Sequence, residues 1–391
     1  MQHKESLSNF NLSILWFGAA ISLAEIITGA LIAPLGLSKG LLAIFIGHVI
    51  GCFILLLAGQ IGAKEQLPAI ETTRLSFGNL GAPFFAILNI IQLVGWTGVM
   101  IANGTAAISS LTPFNTSMVS VLIAGLIALW IIIGFNKMKW LNLAAVISLF
   151  IVSILLGVIT FGSHETVTFT SADFLSFGMA IELSIVMPLS WLPLISDYTM
   201  LSKSKKFGPT SSAIGYFLGS TFMYVIGLGA ALYAGTSDIA VILSAAGLPV
   251  IAILIVILST LTTTFLDVYS AAVSFNVLKK ANTKVVSLFI CIFGAILAIL
   301  VPTSQYENFL YLIGSAFAPM FAILLTDYFL LRKGNTSTPN GYLNLGIWAI
   351  GVIIYRFMMQ VDTPIGNSLP TMLIVMVLMW GIQRLKVRIH S

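Results

Sequence analysis

Long uninterrupted apolar runs constrain this chain more than any other feature. LAAVISLFIVSILLGVITFG (Leu143–Gly162) and SLFICIFGAILAIL (Ser287–Leu300) contain no charge at all. Such runs approach or exceed the roughly 20 residues a helix needs to cross a bilayer. They are continuous rather than alternating, which excludes a membrane β-barrel. The chain therefore reads as an all-α polytopic membrane protein. Composition agrees, with 58% of the 391 residues hydrophobic and 8% charged, where soluble domains carry about 25% charged residues. MQHKESLSNFNLS has little positive charge and no small-residue cleavage site, so Leu12 onward reads as a first span and not a removed signal.

About twelve spans are expected, centred near residues 22, 50, 95, 127, 150, 186, 223, 262, 292, 319, 350 and 376. Loops on one side carry Lys64, Arg74, Lys137, Lys139, Lys203, Lys205, Lys206, Lys279, Lys280, Lys284, Arg332 and Lys333. Opposite loops hold Lys39, with Arg356 near that face, and otherwise acids such as Glu165, Asp173, Asp238, Glu307 and Asp362. This asymmetry is the positive-inside rule, and it puts both termini in the cytoplasm of a plasma or inner membrane protein. The net charge of +5 follows from topology, so no nucleic-acid partner is implied. Cys52 and Cys291 fall inside spans without metal or disulfide spacing. His48, in IGHVIGC, reads as a hydrogen-bonding group within the bundle, with proton relay as the lesser alternative.

Charged residues at mid-membrane depth cost about 2.5–3.5 kcal/mol and persist only beside a cavity or a partner. Glu25 in span 1, Glu182 in span 6 and Asp267 in span 8 meet that description. Helical spacing supplies their company. Gly18, Ser22, Glu25 and Gly29 share a face in span 1; Ser259, Thr263, Asp267, Ser270 and Ser274 form a stripe in span 8, with Thr262 alongside. Span 3 aligns Asn89, Gln92, Trp96 and Asn103. In span 6, Pro188 and Pro193 flank Ser190 and Trp191, and each proline breaks or bends a helix. Any one stripe could be a packing face. Together they place a substrate site at mid-depth between discontinuous helices, where unwound backbone supplies carbonyls for a cation.

Such folds are commonly inverted repeats. The layout gives a cytoplasmic N-terminus (1–11), a first repeat of spans 1–5 (12–161), a second of spans 6–10 (173–331), spans 11–12 (341–385) and a cytoplasmic C-terminus (386–391). The hydroxyls of Thr262–Thr264 suit a hard cation beside an unwound span 1, or they bond back to carbonyls one turn earlier.

At these residues the sequence resembles the nucleobase:cation symporter-1 family, the cytosine, hydantoin and allantoin permeases. IGAKEQLPAIETTRLSFG (Ile61–Gly78), QLVGWTGV, LISDYTML and APMFAILLTDYFLLRKG (Ala318–Gly334) carry the likeness, in order and over essentially the whole chain. Glu25 in LAEIITG and Asp267 in TFLDVYS look most like the hydroxymethylpyrimidine permeases associated with thiamin precursor uptake. The resemblance implies a LeuT-like fold of five-plus-five inverted repeats with two additional C-terminal helices. It also implies a planar heterocycle stacked on Trp96 and contacted by Glu25. The family's second stacking aromatic falls at Pro188, with Trp191 one turn on, and Asp267 is the nearest polar residue to the family's span 8 asparagine. For sodium, the carbonyls of Ile21 and Ala24 and the hydroxyls of Thr262 and Thr263 match the ligand positions. Gln92, Asn103 and Ser190 are expected to orient the substrate.

The expected function is cation-coupled import of an aminopyrimidine, most simply hydroxymethylpyrimidine with sodium, by a monomer without a covalent cofactor. The alternatives are cytosine or another nucleobase, or a proton-coupled carrier of an amine-bearing heterocycle. An enzyme is not expected, since no HExxH, GxSxG or paired His/Asp constellation occurs.

Overall fold

The structure, a computed structural model, describes residues 6–110, 112–162, 175–237, 249–331 and 341–390. Glu165, Asp173, Asp238, Arg332 and Lys333 lie outside the described residues, as do the side chains of Lys137 and Lys139. Almost everything described is helix, because a bilayer leaves no other way to satisfy the backbone of an open chain.

Span 1 is two helices, α1 (Asn9–Ala20) and α2 (Leu23–Leu31). Ser22, not a proline or glycine, makes the break. It is extended (φ −141°, ψ 158°) and its hydroxyl accepts from the Glu25 amide at 3.4 Å, so it caps α2. After a 3-10 turn (Ala33–Leu35), α3 (Gly36–Glu65) crosses back, and the four-residue α4 (Ala69–Thr72) leads to α5 (Arg74–Ser109). Next come α6 (Thr116–Ile133) and α7 (Phe135–Gly162). Span 6 is also divided, into α8 (Phe177–Ser190) and α9 (Leu192–Thr199), meeting at Trp191. Both prolines border that break. Pro188 lies in the last turn of α8, and Pro193 lies at the start of α9, where a missing amide costs nothing. The remaining helices are α10 (Phe207–Ala234), α11 (Pro249–Leu278), α12 (Thr283–Leu300), α13 (Tyr306–Leu325, running into a π-helical turn Thr326–Leu331), α14 (Gly341–Met358) and α15 (Ser368–His390).

Eleven stretches among the described residues are long and apolar enough to cross a membrane. One of them, Leu23–Glu65, contains both α2 and α3 with the turn between, so it covers the end of one crossing and the whole of the next. Counted that way, the eleven stretches match the twelve expected spans. Basic loops meet in pairs: Lys205 Nζ donates to the Lys64 carbonyl at 3.3 Å, and Lys284 Nζ donates to the Ile132 carbonyl at 3.2 Å. The N-terminal segment joins the loop at Lys203: the Leu7 amide donates to the Leu201 carbonyl, and the Lys203 amide donates to the Leu7 carbonyl.

Packing sorts the helices into two groups. The halves of span 1 lie on α10, and α3 lies against α8, α9 and α10. Separately, α5 packs on α11 and α12, and α6 packs on α12. Helices α14 and α15 lean on α13 at the periphery. Glycine sets the closest approach in the first group: a Cβ on Gly29 would lie 2.3 Å from the Tyr224 carbonyl oxygen, and one on Gly227 2.0 Å from that of Ile26. That contact fixes the rotation of α2, and so the direction of Glu25.

Candidate functional site

The two helix breaks face each other across a small cavity. From the first come Ser22, Ala24 and Glu25; from the second come Met187, Ser190, Trp191 and Leu194. Helix α5 adds Leu93, Trp96 and Met100, and α11 closes the far wall with Thr263 and Asp267. The lining is thus mostly apolar and aromatic with a few convergent polar groups, which is how small-molecule sites are built.

Its two carboxyl groups differ. Glu25, 2% exposed, is held from behind: Tyr216 of α10 donates to Oε1 at 2.7 Å, and the Ser220 hydroxyl of the same helix lies 2.7 Å from Oε2. Asp267 is 4% exposed and has no hydrogen-bond partner among the described residues. No Lys or Arg forms an ion pair with either acid among the described residues. A buried carboxyl without a partner is costly to the empty protein, so its place in the cavity wall points to a ligand that supplies donors.

The indoles are set by neighbouring rings. Trp96 stands edge-on to Phe309 (5.5 Å, 76°) and Tyr306 (6.1 Å, 73°), while Trp191 stands edge-on to Trp16 (5.6 Å, 89°) and Tyr216 (6.1 Å, 63°). The Tyr306 hydroxyl is 2.9 Å from that of Thr28, whose proton the Ala24 carbonyl can accept at 2.8 Å.

Of the expected site residues, Ala24, Glu25, Trp96, Ser190, Trp191, Thr263 and Asp267 meet at the cavity. Gln92, Asn103, Pro188, Ile21 and Thr262 are not in its wall. Gln92 Nε2 donates to the Ser190 carbonyl at 2.8 Å and so serves a carbonyl at the helix break. Pro188 turns its ring toward Gly51 on α3. Thr262 donates to the Ser259 carbonyl at 3.0 Å, one turn earlier. Asn103 is buried on α5, and its Nδ2 has no partner among the described residues.

The single span 1 face expected to run from Gly18 to Gly29 does not exist. The break at Ile21–Ser22 interrupts the periodicity, leaving Gly18 toward Val146 and Gly29 against Tyr224. Glu182 lies outside the cavity. Its carboxylate accepts from the amides of Asn367 (2.6 Å) and Ser368 (2.7 Å) and the hydroxyls of Ser368 and Tyr355 (2.6 Å each), capping α15. Sequence reading missed Tyr216, Ser220, the apolar wall residues and Ser22 as the break. The Ser-x-x-Glu spacing at Ser22–Glu25 was a usable capping signal.

Two broken helices, a mid-span cavity and the two packing groups define a secondary transporter of the LeuT-like type. Comparison with known proteins agrees. Mhp1, a nucleobase-cation-symport-1 family transporter solved closed with bromovinylhydantoin bound, superposes with a TM-score of 0.79 over 97% of this chain and 93% of its own, at 18% identity. A sodium-coupled sialic acid symporter superposes with a TM-score of 0.71 over 96% and 89%, at 13% identity. The family of permeases for cytosine/purines, uracil, thiamine and allantoin matches residues 1–348, and the chain belongs to it, within the nucleobase:cation symporter-1 family. Cytosine permease of Escherichia coli K12 is 25% identical over 299 residues, 75% of this chain and 70% of its own. The purine-cytosine permease FCY2 of Saccharomyces cerevisiae is 24% identical over 374 residues, 83% and 68%.

Proposed function

We propose that this permease imports a small aminopyrimidine, hydroxymethylpyrimidine in the first place, together with a cation, sodium in the first place. The observation that carries the reading is Asp267, a buried cavity carboxyl with no partner among the described residues, facing a site that also holds Glu25 and Trp96. An aminopyrimidine offers an exocyclic N–H and, if protonated, a ring N–H, and carboxylates accept both. Each oxygen of Glu25 makes one hydrogen bond to α10, and its remaining acceptor sites are left for the ligand. Trp96 stacks on the ring, Trp191 flanks it, and Ser190 orients it. Uracil and hydantoins present carbonyl oxygens where these acids need donors.

Sodium would be bound by the carbonyls of Ile21 and Ala24 and the hydroxyls of Thr262 and Thr263. Two features support this: the span 1 break falls immediately after Ile21, and the Thr262 hydroxyl proton goes to Ser259, leaving its lone pairs for a cation. Sodium favours the outward-open state, substrate closes the outer gate, and rocking of the two helix groups releases both inward. The two repeats would be residues 12–161 and 173–331, the termini cytoplasmic by the positive-inside rule, and the working unit a monomer.

Cytosine is the second reading, favoured by the permeases of that name among the relatives and by its similar amine-bearing edge. Thermal stabilisation of the purified protein by hydroxymethylpyrimidine, cytosine, uracil and hydantoin, each with and without sodium, tests both. Aminopyrimidines should stabilise most, and more in sodium. Equal stabilisation by uracil would reject recognition through the acids.

A further inference from the structure

Behind Glu25 lies a chain of buried polar groups that transport as described above leaves unused. Tyr216 and Ser220 hold the two carboxyl oxygens. Ser220 Oγ is 2.6 Å from Nε2 of His48, on α3, and His48 Nδ1 donates to the Ile44 carbonyl at 2.8 Å. The His48 ring stands edge-on to Tyr224, with centroids 4.6 Å apart and planes at 83°. His48, Tyr216 and Ser220 are fully buried, and none lines the cavity.

Both nitrogens of His48 are engaged, and both oxygens of Glu25 are gripped by hydroxyls whose own positions are set. A glutamate has three side-chain torsions, and this frame removes their freedom before any ligand arrives. The frame also travels with its carboxyl, because α2 and α3 both pack on α10. Close backbone approach at Gly29 and Gly227 leaves α2 no room to slide on α10.

We propose that His48, Ser220 and Tyr216 are positioning residues that set the selectivity of the cavity through Glu25, with His48 acting two side chains away from the ligand. This rests on Glu25 being a substrate contact. Held at both oxygens, Glu25 presents its remaining acceptor sites in one direction and discriminates a donor edge from an acceptor edge. Released, it swings and discriminates less.

The test uses the full chain, purified, as wild type, His48→Leu and His48→Gln, with dissociation constants measured for cytosine, hydroxymethylpyrimidine and uracil. Gln retains an amide able to reach Ser220; Leu does not. The aminopyrimidine preference over uracil should fall on the order of ten- to a hundredfold in H48L, the range for supporting partners of a functional group, and return in H48Q. A purely structural role would weaken all three ligands alike. Independently of any ligand, the infrared band of Glu25, identified by its loss in Glu25→Gln, should shift in H48L and recover in H48Q. If H48L does not fold, Tyr216→Phe removes a donor from the other oxygen and is read the same way.

An unshifted band overturns the proposal, and a shifted band with an unchanged preference overturns the selectivity role. If wild type prefers neither cytosine nor hydroxymethylpyrimidine over uracil, the substrate reading fails and the selectivity role with it; the band still decides whether His48 positions Glu25.

Discussion

Changing Asp267 to Asn separates the needs of the ligand from those of the empty protein. Asp267 makes no hydrogen bond to the described residues, so the substitution removes no internal contact. It is nearly isosteric, leaves no void, and takes an ionisable group out of a buried wall. The unliganded variant should therefore melt no lower than wild type. Binding should suffer, because one charge-assisted hydrogen bond contributes about 1.5–3 kcal/mol, which corresponds to roughly a 10- to 150-fold rise in dissociation constant. A ligand at 100 times its wild-type dissociation constant stabilises the folded state by about 2.7 kcal/mol. If Asp267→Asn weakens binding a hundredfold, the same concentration stabilises the variant by only about 0.4 kcal/mol. Intrinsic tryptophan fluorescence during heating, with cytosine and hydroxymethylpyrimidine as ligands, reads both quantities in one experiment. A variant that melts well below wild type without ligand, yet responds normally to ligand, would refute the reasoning: Asp267 would then be a structural acid.

Glu182 should behave in the opposite way. Glu182→Leu orphans the amides of Asn367 and Ser368, which cannot turn elsewhere, and at about 1–3 kcal/mol per buried donor the loss is about 2–6 kcal/mol. Thermal denaturation should show that fall, while Glu182→Gln, to which the Tyr355 and Ser368 hydroxyls can reorient, should cost much less. Trp96→Ala should weaken aminopyrimidine binding by about 1–3 kcal/mol, the range for base–aromatic stacking, measured by titration calorimetry. Thr262→Ala with Thr263→Ala should abolish the sodium dependence of ligand stabilisation, and a retained sodium effect would move the cation elsewhere. Gly227→Leu should prevent α2 from docking on α10, since its Cβ alone would lie 2.0 Å from the Ile26 oxygen; loss of folded protein in size-exclusion chromatography checks it.

The sequence by itself determined the succession of apolar spans, the breaks in spans 1 and 6, and the presence of Glu25, Trp96 and Asp267 within spans. Each follows from local chemistry or from partition between water and lipid, and neither depends on distant contacts. Helical spacing also tells which residues share a face, but not what that face meets. Only the tertiary structure decided that Glu182 turns away to cap α15 and that Gln92 serves the Ser190 carbonyl rather than the cavity. It alone backed Glu25 with Tyr216, Ser220 and His48. The reason is physical: the rotation of each helix is set by close backbone contacts such as Gly29 on Tyr224, between residues far apart in the chain. A serine cap, a local event, then re-aimed half of span 1 toward those contacts.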